Sequence, residues 1–456
     1  MAVWSTVNYK NVKRKNRIDS EYYQPEYIQL EKAINEWGDL FRLKDIAEVI
    51  GGKRLPKGET FSKNGIPYVR TIDIENVFID FDKVYNISNE VHKVLKKYQL
   101  KHKDILITIV GSVGLIGFMQ KDISPCNFTE NCSVIRSKSM SPEFLLIFFL
   151  SKIGQFQISR EKVGTIQDKL SLERLKNVLI PKIKKLEIDV VNLVNLSSNY
   201  YEVSKTQYFQ AEQILHEELG LKEMDLQDEL FYTTTLKKIK ENNRIDAEYY
   251  IPKYEKFMEH IHNFKNVNLS YLSKIKKGIE PGGDKYSNMG KPFIRVSNLT
   301  KFEINNNNQR YLGMDLYEHL KEAYEPLKGE ILLSKDATPG IAYVLKEPIE
   351  GIISSGILRL ETGQFFNKEY LALVINSPIG QLQRKRDSGG SIIDHWKIEE
   401  IKNIKIPLLP NSIQEKIEKL CRESFLKRKQ AEQLLNEAKL KVEKMIEKEV
   451  VKNNGV

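Results

Sequence analysis

The sequence is poor in cysteine and has no long apolar segment. Only Cys126, Cys132 and Cys421 occur among 456 residues, which argues against a disulfide framework and favours a reducing compartment. The longest apolar run, at residues 144–150, is far shorter than the ~20 residues that a membrane-spanning helix needs. The first residues lack the charged-then-apolar layout of a secretory signal. We therefore expect a cytoplasmic protein.

Motifs of common catalytic sites are also missing from the sequence. No Pro-Pro pair occurs, which excludes the Asn/Asp/Ser-Pro-Pro-aromatic loop of DNA N-methylation. Gly51-Gly52-Lys53-Arg54 lacks the pattern of a Walker loop. His260 and His262, at i and i+2, would point to different faces of a helix, and the cysteines have no CxxC or histidine partner. We therefore expect a non-catalytic chain without a metal site.

Positive charge is in excess over the whole chain. Lysine and arginine number 71 against 61 aspartates and glutamates, which gives a net charge of +10 and a pI near 9.0. This excess favours a polyanionic partner, with nucleic acid first and an anionic membrane surface second. A length of 456 residues is sufficient for two or three domains.

The sequence is duplicated. The string Asn-Arg-Ile-Asp-Ser-Glu-Tyr-Tyr-Gln-Pro-Glu-Tyr at residues 16–27 returns at residues 243–254 with nine of twelve positions identical. Further pairs follow in the same order, with an offset of 225 to 227 (292−67, 340−114, 244−17). They are Pro67-Tyr68-Val69-Arg70 with Pro292-Phe293-Ile294-Arg295, Ile153-Gly154-Gln155 with Ile379-Gly380-Gln381, Gly164-Thr165-Ile166 with Gly390-Ser391-Ile392, and Pro181 with Pro407. Residues 51–64 and 276–290 differ strongly, which indicates one scaffold that carries two different surfaces.

Each half alternates short β-rich runs with helical patterns, which predicts two tandem α+β domains. In the first half we expect helices at 25–37, 89–100, 143–157 and 170–177, strands at 66–70 and 104–108, and an edge strand at 178–181. Gly111, Gly114 and Gly117 are expected to form a tight strand–turn–strand connection. The predicted division is a first domain at 1–183, a central helix at 184–226, a second domain at 227–408 and a C-terminal helix at 409–456.

A long polar helix is predicted after each domain. At seven-residue spacing the first shows Ser197, Ser204 and Ala211, and the second shows Ser424, Ala431 and Ala438. A seam of small residues with a heptad period predicts that the two helices form an antiparallel coiled coil. A helix of about 35 residues is a rod of about 50 Å, which is suited to hold two domains at a fixed spacing.

Paired polar loops and strand ends are the candidate DNA-binding positions, because lysine and arginine neutralise phosphates and polar side chains read base edges. In the first half the candidates are Lys53, Arg54, Lys57, Arg70, Thr71, Thr165, Gln167 and Lys169. In the second half they are Lys276, Lys277, Lys285, Tyr286, Arg295, Ser297, Asn298, Lys335, Ser391 and His395.

The layout as a whole resembles the specificity subunit of type I restriction-modification systems. The Arg-Ile-Asp-x-Glu-Tyr-Tyr-x-Pro-x-Tyr strings, the Pro-Tyr-Val-Arg and Pro-Phe-Ile-Arg strands and the Ala-Glu-Gln helices carry this resemblance in their repeated order. It implies two target recognition domains that each read one half of an interrupted DNA sequence. It also implies that two methyltransferase subunits and the restriction subunits dock on the chain. S-adenosylmethionine, ATP and Mg²⁺ would then belong to those partners.

Other functions remain open at this point. The chain could serve a type IIB-like methylase–nuclease complex, which only the partner would distinguish. A self-sufficient DNA methyltransferase or nuclease would require a catalytic loop that the sequence does not show. A scaffold that binds only proteins would leave no DNA footprint.

Overall fold

The computed structural model describes residues 4–35, 37, 39–74, 77–164, 167–224, 226–227, 229, 231–306, 308–363, 366–388 and 395–453. They form two compact units. Unit 1 extends to Glu202 and resumes at Lys427, and unit 2 is Val203–Leu426. Both units mix helices and sheets, so the predicted α+β class is confirmed. Each unit includes part of both long helices. The division predicted at residues 184, 227 and 409 treats those helices as separate segments, and it stays a prediction.

The described residues of unit 1 form seven short α-helices before the first long helix. They are α1 (Tyr9–Lys15), α2 (Pro25–Asn35), α3 (Leu43–Ile46), α4 (Asn89–Val94), α5 (Pro142–Leu150), α6 (Lys152–Glu161) and α7 (Leu172–Lys176), and α8 (Lys184–Glu218) continues into unit 2. The strands are β1 (Leu40–Arg42), β2 (Ala47–Gly51), β3 (Ile66–Val69), β4 (Asn86–Ile87), β5 (Ile105–Thr108), β6 (Ile116–Phe118), β7 (Asn127–Phe128), β8 (Cys132–Ser137) and β9 (Leu179–Pro181).

The strands in the described part of unit 1 form three sheets. An antiparallel four-stranded sheet has the order β2-β8-β5-β6, and its buried residues pack against the apolar helix α5. A smaller sheet has the order β4-β3-β7, with β3 and β7 parallel. The strands β1 and β9 pair antiparallel, with Leu40 opposite Pro181. The edge strand predicted at 178–181 is confirmed, and its pairing brings together the two ends of the segment 40–181.

Unit 2 repeats this order. Its helices are α9 (Leu236–Asn242), α10 (Pro252–His262), α11 (Leu269–Leu272), α12 (Met314–Tyr324), α13 (Lys368–Asn376), α14 (Pro378–Asp387), α15 (Ile398–Lys402) and α16 (Asn411–Asn453), the last of which is shared with unit 1. The strands are β10 (Asn266–Asn268), β11 (Ser273–Lys277), β12 (Tyr286–Ser287), β13 (Lys291–Ile294), β14 (Arg310–Leu312), β15 (Ile331–Ser334), β16 (Ala342–Val344), β17 (Ile352–Ile353), β18 (Ile357–Thr362) and β19 (Lys405–Pro407). The sheets β11-β18-β15-β16, β12-β14-β13-β17 and β10-β19 correspond to those of unit 1.

Two predicted helices of unit 1 differ from the structure. The helix expected at 89–100 ends at Val94. The single helix expected at 143–157 is wrong, because the chain breaks at Ser151. The Ser151 hydroxyl donates to the Phe148 carbonyl at 2.6 Å and accepts from the Gly154 amide at 3.3 Å, so it closes one helix and caps the next. The repeated Ile-Gly-Gln motif begins here.

The Ile-Gly-Gln motif holds this corner together in both units. A Cβ on Gly154 would lie 2.2 Å from the Phe148 carbonyl oxygen, and one on Gly380 would lie 2.2 Å from the Ile375 carbonyl oxygen, so only glycine fits. The Gln155 amide donates to the Gly114 carbonyl at 3.0 Å. This bond fixes the turn between β5 and β6, which pair antiparallel as the predicted strand–turn–strand connection requires.

A buried ion pair supports the β5 region and its counterpart. In unit 1 Arg136 donates to Asp104 through Nε at 2.9 Å and Nη2 at 2.7 Å. In unit 2 Arg359 donates to Glu330 through Nε at 2.7 Å and Nη2 at 2.9 Å. Bidentate geometry of this kind makes strong and directional hydrogen bonds. The pair of unit 2 is fully enclosed, whereas 22% of the Arg136 side chain is exposed.

Segments of the two long helices pack antiparallel within each unit. In unit 1 the Ser197 hydroxyl donates to the Ala431 carbonyl at 2.7 Å, and Lys441 lies 3.8 Å from Asp189. In unit 2 the hydroxyls of Ser204 and Ser424 are 3.2 Å apart. The small residues predicted to form the seam are all buried. Small side chains and backbone-directed hydroxyls allow a close approach of the helix backbones.

Candidate DNA interface

The four-stranded sheet of unit 1 gathers several loops at one end. Gly51, at the end of β2, pairs with Ser133, and Thr108, at the end of β5, pairs with Cys132 at the start of β8. Antiparallel order therefore places the connections after β2 and β5 and before β8 side by side. The end of β3 joins them, because the Thr129 amide donates to the Val69 carbonyl at 3.0 Å. We call this end, with the loops at 52–64, 70–73, 109–115 and 129–131 and the described residues 163–164 and 167–169, the loop edge of unit 1.

The basic loop after β2 is anchored at its start and exposed beyond it. A Cβ on Gly52 would lie 2.0 Å from the Thr129 carbonyl oxygen, so glycine is required where the loop leaves the sheet. Lys53 and Lys57 are exposed. The Arg54 side chain is 79% exposed, and its Nε lies 2.5 Å from Oε1 of Glu130. Burial disfavours the charge of Glu130, but the hydrogen bond from Arg54 outweighs it and lowers the pKa of that carboxyl.

Arg70 is held in place at the loop edge by a carboxylate and two aromatic rings. Its Nε and Nη2 donate to Asp73 at 3.1 and 3.0 Å, and this hydrogen bonding raises the pKa of the guanidinium. The guanidinium carbon lies 4.0 Å from the ring centroid of Tyr85 and 5.4 Å from that of Phe61. Such stacking and pairing fix the planar group. Thr71 follows in a one-turn 3₁₀ helix and is partly exposed.

Tyr85 and Phe61 are candidate contact residues that sequence reasoning missed. Both rings are large and substantially exposed, at 51% and 40%. They lie beside Arg70 and therefore form part of the loop edge. The available signal was weak: each is an isolated aromatic residue in a polar stretch, and only the fold brings them together.

The loop at 163–169 is bonded to the turn after β5. The Gly111 amide donates to the Asp168 carbonyl at 3.0 Å, and Val163 and Lys169 exchange backbone hydrogen bonds at 2.9 and 2.8 Å. The side chains of Gln167 and Lys169 are exposed on this loop. Thr165 lies outside the described residues. The structure thus brings the described candidates of the first half to one loop edge.

Unit 2 has an equivalent loop edge at the end of the sheet β11-β18-β15-β16. Ser334, at the end of β15, pairs with Ile357 at the start of β18, and the Gly278 amide donates to the Ile357 carbonyl at 3.2 Å. Lys277 ends β11 and is exposed beside this point. We define the loop edge of unit 2 by the residues that follow β11, β13 and β15 and by the described part of the segment 388–396.

Lys335, Asp336 and His395 form a charged cluster at this edge. The Lys335 ammonium lies 2.6 Å from Asp336, and Nδ1 of His395 lies 2.8 Å from the other carboxylate oxygen. Burial disfavours the charge of Asp336, but the hydrogen bonds from His395 and Lys335 outweigh it and lower the pKa of the carboxyl. His395 is 64% exposed. The neighbouring candidate Ser391 lies outside the described residues.

Arg295, Ser297 and Asn298 occupy the positions that follow β13. Ser297 is exposed, whereas Asn298 is buried. The side-chain Oδ1 of Asn298 accepts from the Arg295 backbone amide at 3.2 Å, and its Nδ2 donates to the Asn305 carbonyl at 3.1 Å. Asn298 therefore forms the same turn in unit 2 that Asp73 forms in unit 1, where the Asp73 carboxylate accepts from the Arg70 backbone amide. Its side chain does not face solvent. The Nε atom of Arg295 is buried and has no hydrogen-bond partner within the described residues.

Three other candidates of unit 2 each contact an acidic side chain. Lys276 is inside β11 and its ammonium lies 2.9 Å from Glu361. Lys285 lies 3.2 Å from Asp284 and is 58% exposed. The Tyr286 hydroxyl donates to Glu280 at 2.9 Å, on the loop that leads from β11. Each of these three side chains therefore already has an acidic partner within unit 2.

The loop edges carry groups that suit the binding of nucleic acid. The loop edges present cations, amides and aromatic rings on a rigid sheet, which suits phosphate and base-edge contacts. Within the described ranges, no group of three His, Cys, Asp or Glu side chains is placed to hold a metal ion. None of the helices in the described part of the chain combines the length and hydropathy needed to cross a bilayer.

Residues 35–212 match the family model of the type I restriction modification DNA specificity domain. A segment of 121 residues is 31% identical to the type I restriction enzyme EcoBI specificity subunit of Escherichia coli. This alignment covers 26% of this chain and 25% of that relative. Residues 35–212 are therefore similar to the DNA specificity domain of type I systems, and the resemblance predicted from the repeated motifs is confirmed. The matched segment spans about a quarter of the curated relative.

Solved structures of such subunits also align with the chain over most of its length. The S subunit of the type I restriction-modification system from M. genitalium aligns over 91% of this chain and 96% of its own, with 12% identity and a TM-score of 0.39. The HsdS subunit of Thermoanaerobacter tengcongensis aligns over 90% and 96%, with 16% identity and a TM-score of 0.28.

Proposed function

We propose that this chain selects the DNA sequence on which a type I restriction-modification complex acts. Each unit would read one half of an interrupted target through its loop edge. The observation that carries the proposal is the contrast within the duplication. Strand order, turns and the Ile-Gly-Gln corner are repeated, whereas the loops at 51–64 and 276–290 differ. A repeated scaffold with two different loop edges is suited to recognise two different half-sites.

The two kinds of contact have distinct candidates. Lys53, Lys57 and Lys277 are exposed cations that would neutralise phosphates and set the register without reading sequence. Arg70 is a better base reader, because stacking and the Asp73 pair orient its plane before binding. An arginine placed in this way is suited to the acceptors of guanine in the major groove.

Catalysis would belong to the partners. Two methyltransferase subunits would bind S-adenosylmethionine, and restriction subunits would bind ATP and Mg²⁺. This chain would supply sequence recognition and docking surfaces. The helices α8 and α16 would form the predicted coiled coil and set the spacer between half-sites. The antiparallel packing seen within each unit supports that role.

The decisive experiment is a methylome. The chain is co-expressed with a candidate type I methyltransferase subunit from the same genome in a host that lacks DNA methylation, and modified bases are mapped by single-molecule sequencing. We expect an interrupted motif of two short half-sites that disappears when this chain is omitted. One continuous motif would contradict two readers, and a stable complex without modification would favour a protein scaffold.

Cassette exchange tests which unit reads which half-site. The pairing of Leu40 with Pro181, and of Asn266 with Pro407, brings together the two ends of each exchanged segment. Replacing residues 40–181 with the matching segment of a relative should change one half-site only. The matched exchange of residues 266–407 should change the other. If either exchange alters both half-sites, the units do not read independently.

A further inference from the structure

Unit 1 contains a cationic cleft that is lined by residues of α1, α2, α6 and α7 and of the paired strands β1 and β9. Its volume is about 710 Å³, which is within the range of small-molecule sites. Six cationic side chains and two carboxylates line it. The cations are Arg14, Lys15, Arg17, Arg42, Arg160 and Arg174, and the carboxylates are Glu31 and Glu161. The lining of the cleft therefore has an excess of positive charge.

Arg17 has an unsatisfied hydrogen-bond donor at this cleft. Its side chain is only 9% exposed. Its Nε and Nη2 donate to Asp19, but Nη1 is buried and has no hydrogen-bond partner within the described residues. The Glu161 carboxylate is 3.9 Å from Nη1, which is beyond hydrogen-bond distance. A buried donor without an acceptor is costly, so the arrangement favours an acceptor from outside the chain.

The corresponding arginine of unit 2 has an acidic partner at this place. Nη1 of Arg244 donates to the Asp387 carbonyl at 2.9 Å and to the Glu400 carboxylate at 3.2 Å. Glu400 lies on α15, and the residue at the same position of α7 in unit 1, 226 residues earlier, is Arg174. Unit 2 thus uses its own carboxylate where unit 1 has a second cation. This reversal of charge predicts that an anion from solution takes the place of the Glu400 carboxylate in unit 1.

Two more cations of the cleft are specific to unit 1. Arg14 corresponds to Glu241, and Arg42 corresponds to Asn268. Arg14 and Arg42 are exposed and make no ion pair among the residues that the structure describes. The cationic lining is therefore not part of the repeated scaffold, and its occupant would bind to unit 1 alone.

Part of the lining is aromatic. Tyr27 and Phe156 line the cleft, and their partly exposed rings pack edge to face with centroids 6.0 Å apart. Phe156 corresponds to Leu382 in unit 2, so the aromatic pair is also specific to unit 1. Aromatic rings bind nucleobases by stacking, and arginines bind phosphates through charged hydrogen bonds. The two together are suited to a nucleotide.

We propose that this cleft binds a free nucleoside polyphosphate. The phosphates would accept from Arg17 and Arg174, with Arg14 and Arg42 compensating further charge, and the base would lie against Phe156. The DNA backbone offers the same phosphate chemistry, but the Arg17 donor is enclosed, and a double helix is too wide to enter the cleft. The inference goes beyond the proposed function, because the nucleotide would be an additional ligand of the specificity chain itself.

Isothermal titration calorimetry of the whole chain tests the cleft, with ATP as the probe and EDTA present so that no metal ion contributes. The main variant is Arg174→Glu, which gives unit 1 the residue of unit 2. Its carboxylate should pair with Arg17 and exclude the phosphates, so the melting temperature of the chain should not fall. Lys176→Glu is the matched control, because it changes the charge of the same helix equally at a residue outside the lining of the cleft.

We expect one ATP per chain for the wild type and for Lys176→Glu. Arg174→Glu should weaken binding more than about tenfold, because a charged hydrogen bond is lost and a repulsive charge is added. The second variant, Phe156→Leu, copies unit 2 without changing the charge. It should weaken the binding of ATP about fivefold or more, through loss of stacking, and leave the binding of inorganic tripolyphosphate unchanged.

Three results would overturn the proposal. The first is a wild-type chain that binds no ATP at millimolar concentration, and the second is an equal loss of binding in Arg174→Glu and Lys176→Glu. In the third, ATP does not bind but Arg174→Glu alone weakens the binding of a short duplex, so that the phosphate belongs to DNA. Because the methylome does not depend on this cleft, the proposed function and the nucleotide site can each fail alone.

Discussion

The exposed lysines after β2 allow a quantitative test of the loop edge of unit 1. Lys53 and Lys57 make no ion pair within the described residues, so both are available for phosphates. The variant Lys53→Ala with Lys57→Ala removes them without disturbing a buried contact. The matched control is Lys44→Ala, because Lys44 is an exposed lysine just before the opposite end of the same strand.

The expected magnitude follows from counterion release. Each cation that neutralises a phosphate contributes about 0.9 to the slope of log affinity against log salt. Loss of two contacts should flatten the slope by about 1.8. Over a fourfold rise in salt, from about 50 to 200 mM, the double variant should therefore lose about tenfold less affinity than the wild-type chain does. At low salt it should bind more weakly.

Fluorescence anisotropy with two labelled duplexes measures this slope. One duplex contains the target found by the methylome, and the other has an unrelated sequence. The slope should flatten equally on both, because phosphate contacts carry no sequence information. An unchanged slope, or an equal change in Lys44→Ala, would refute the placement of DNA on this edge. A loss confined to the target duplex would make the two lysines base readers.

Three further predictions concern stability and are measured by urea denaturation. Arg359→Met should lower the free energy of unfolding by about 3–5 kcal/mol, because it leaves the buried Glu330 carboxylate without its cation. Arg136→Met should lower it less, because water reaches that partly exposed ion pair. Gly154→Ala should lower the free energy of unfolding by about 1–3 kcal/mol, because the added Cβ would collide with the Phe148 carbonyl oxygen. An unchanged free energy would show that the backbone between α5 and α6 can move to accommodate the methyl group. The pKa of Asp336 is lowered from 3.8 in the folded chain, so the ionised carboxylate should stabilise the fold above about pH 4, and this stabilisation should be lost as the pH falls below that value. Asp336→Asn should therefore make the free energy of unfolding depend less on pH in the acid range.

The repeated architecture could be predicted well from the sequence, because each strand or helix assigned in one half can be compared with its counterpart in the other half. Strands and closing prolines that recur at one offset are recognisable even where each signal alone is weak. The helix break at Ser151 was missed, because residues 143–157 are continuously compatible with a helix and the competing hydroxyl cap depends on local geometry. Apolar periodicity does not reveal a side chain that bonds its own backbone.

The candidate site was predicted less completely than the fold. Basic loops at strand ends were recognisable by composition, and most of them do converge. The role of Asn298 could not be read from the sequence, because an asparagine that forms a turn and one that reads a base look alike. Tyr85 was missed because it lies 15 residues beyond Arg70, and only the pairing of β3 with β4 brings the two together.

The shared long helices have a consequence for biosynthesis. Ala431, Ala438, Val442 and Ile446 belong to the buried core of unit 1, together with Val190 and Val194 of α8. A ribosome releases those C-terminal residues only after it has made all of unit 2. Unit 1, although encoded first, therefore completes its core last, while unit 2 is continuous in sequence and can fold earlier. A released chain that ends at residue 426 would contain all of the second unit and only part of the first.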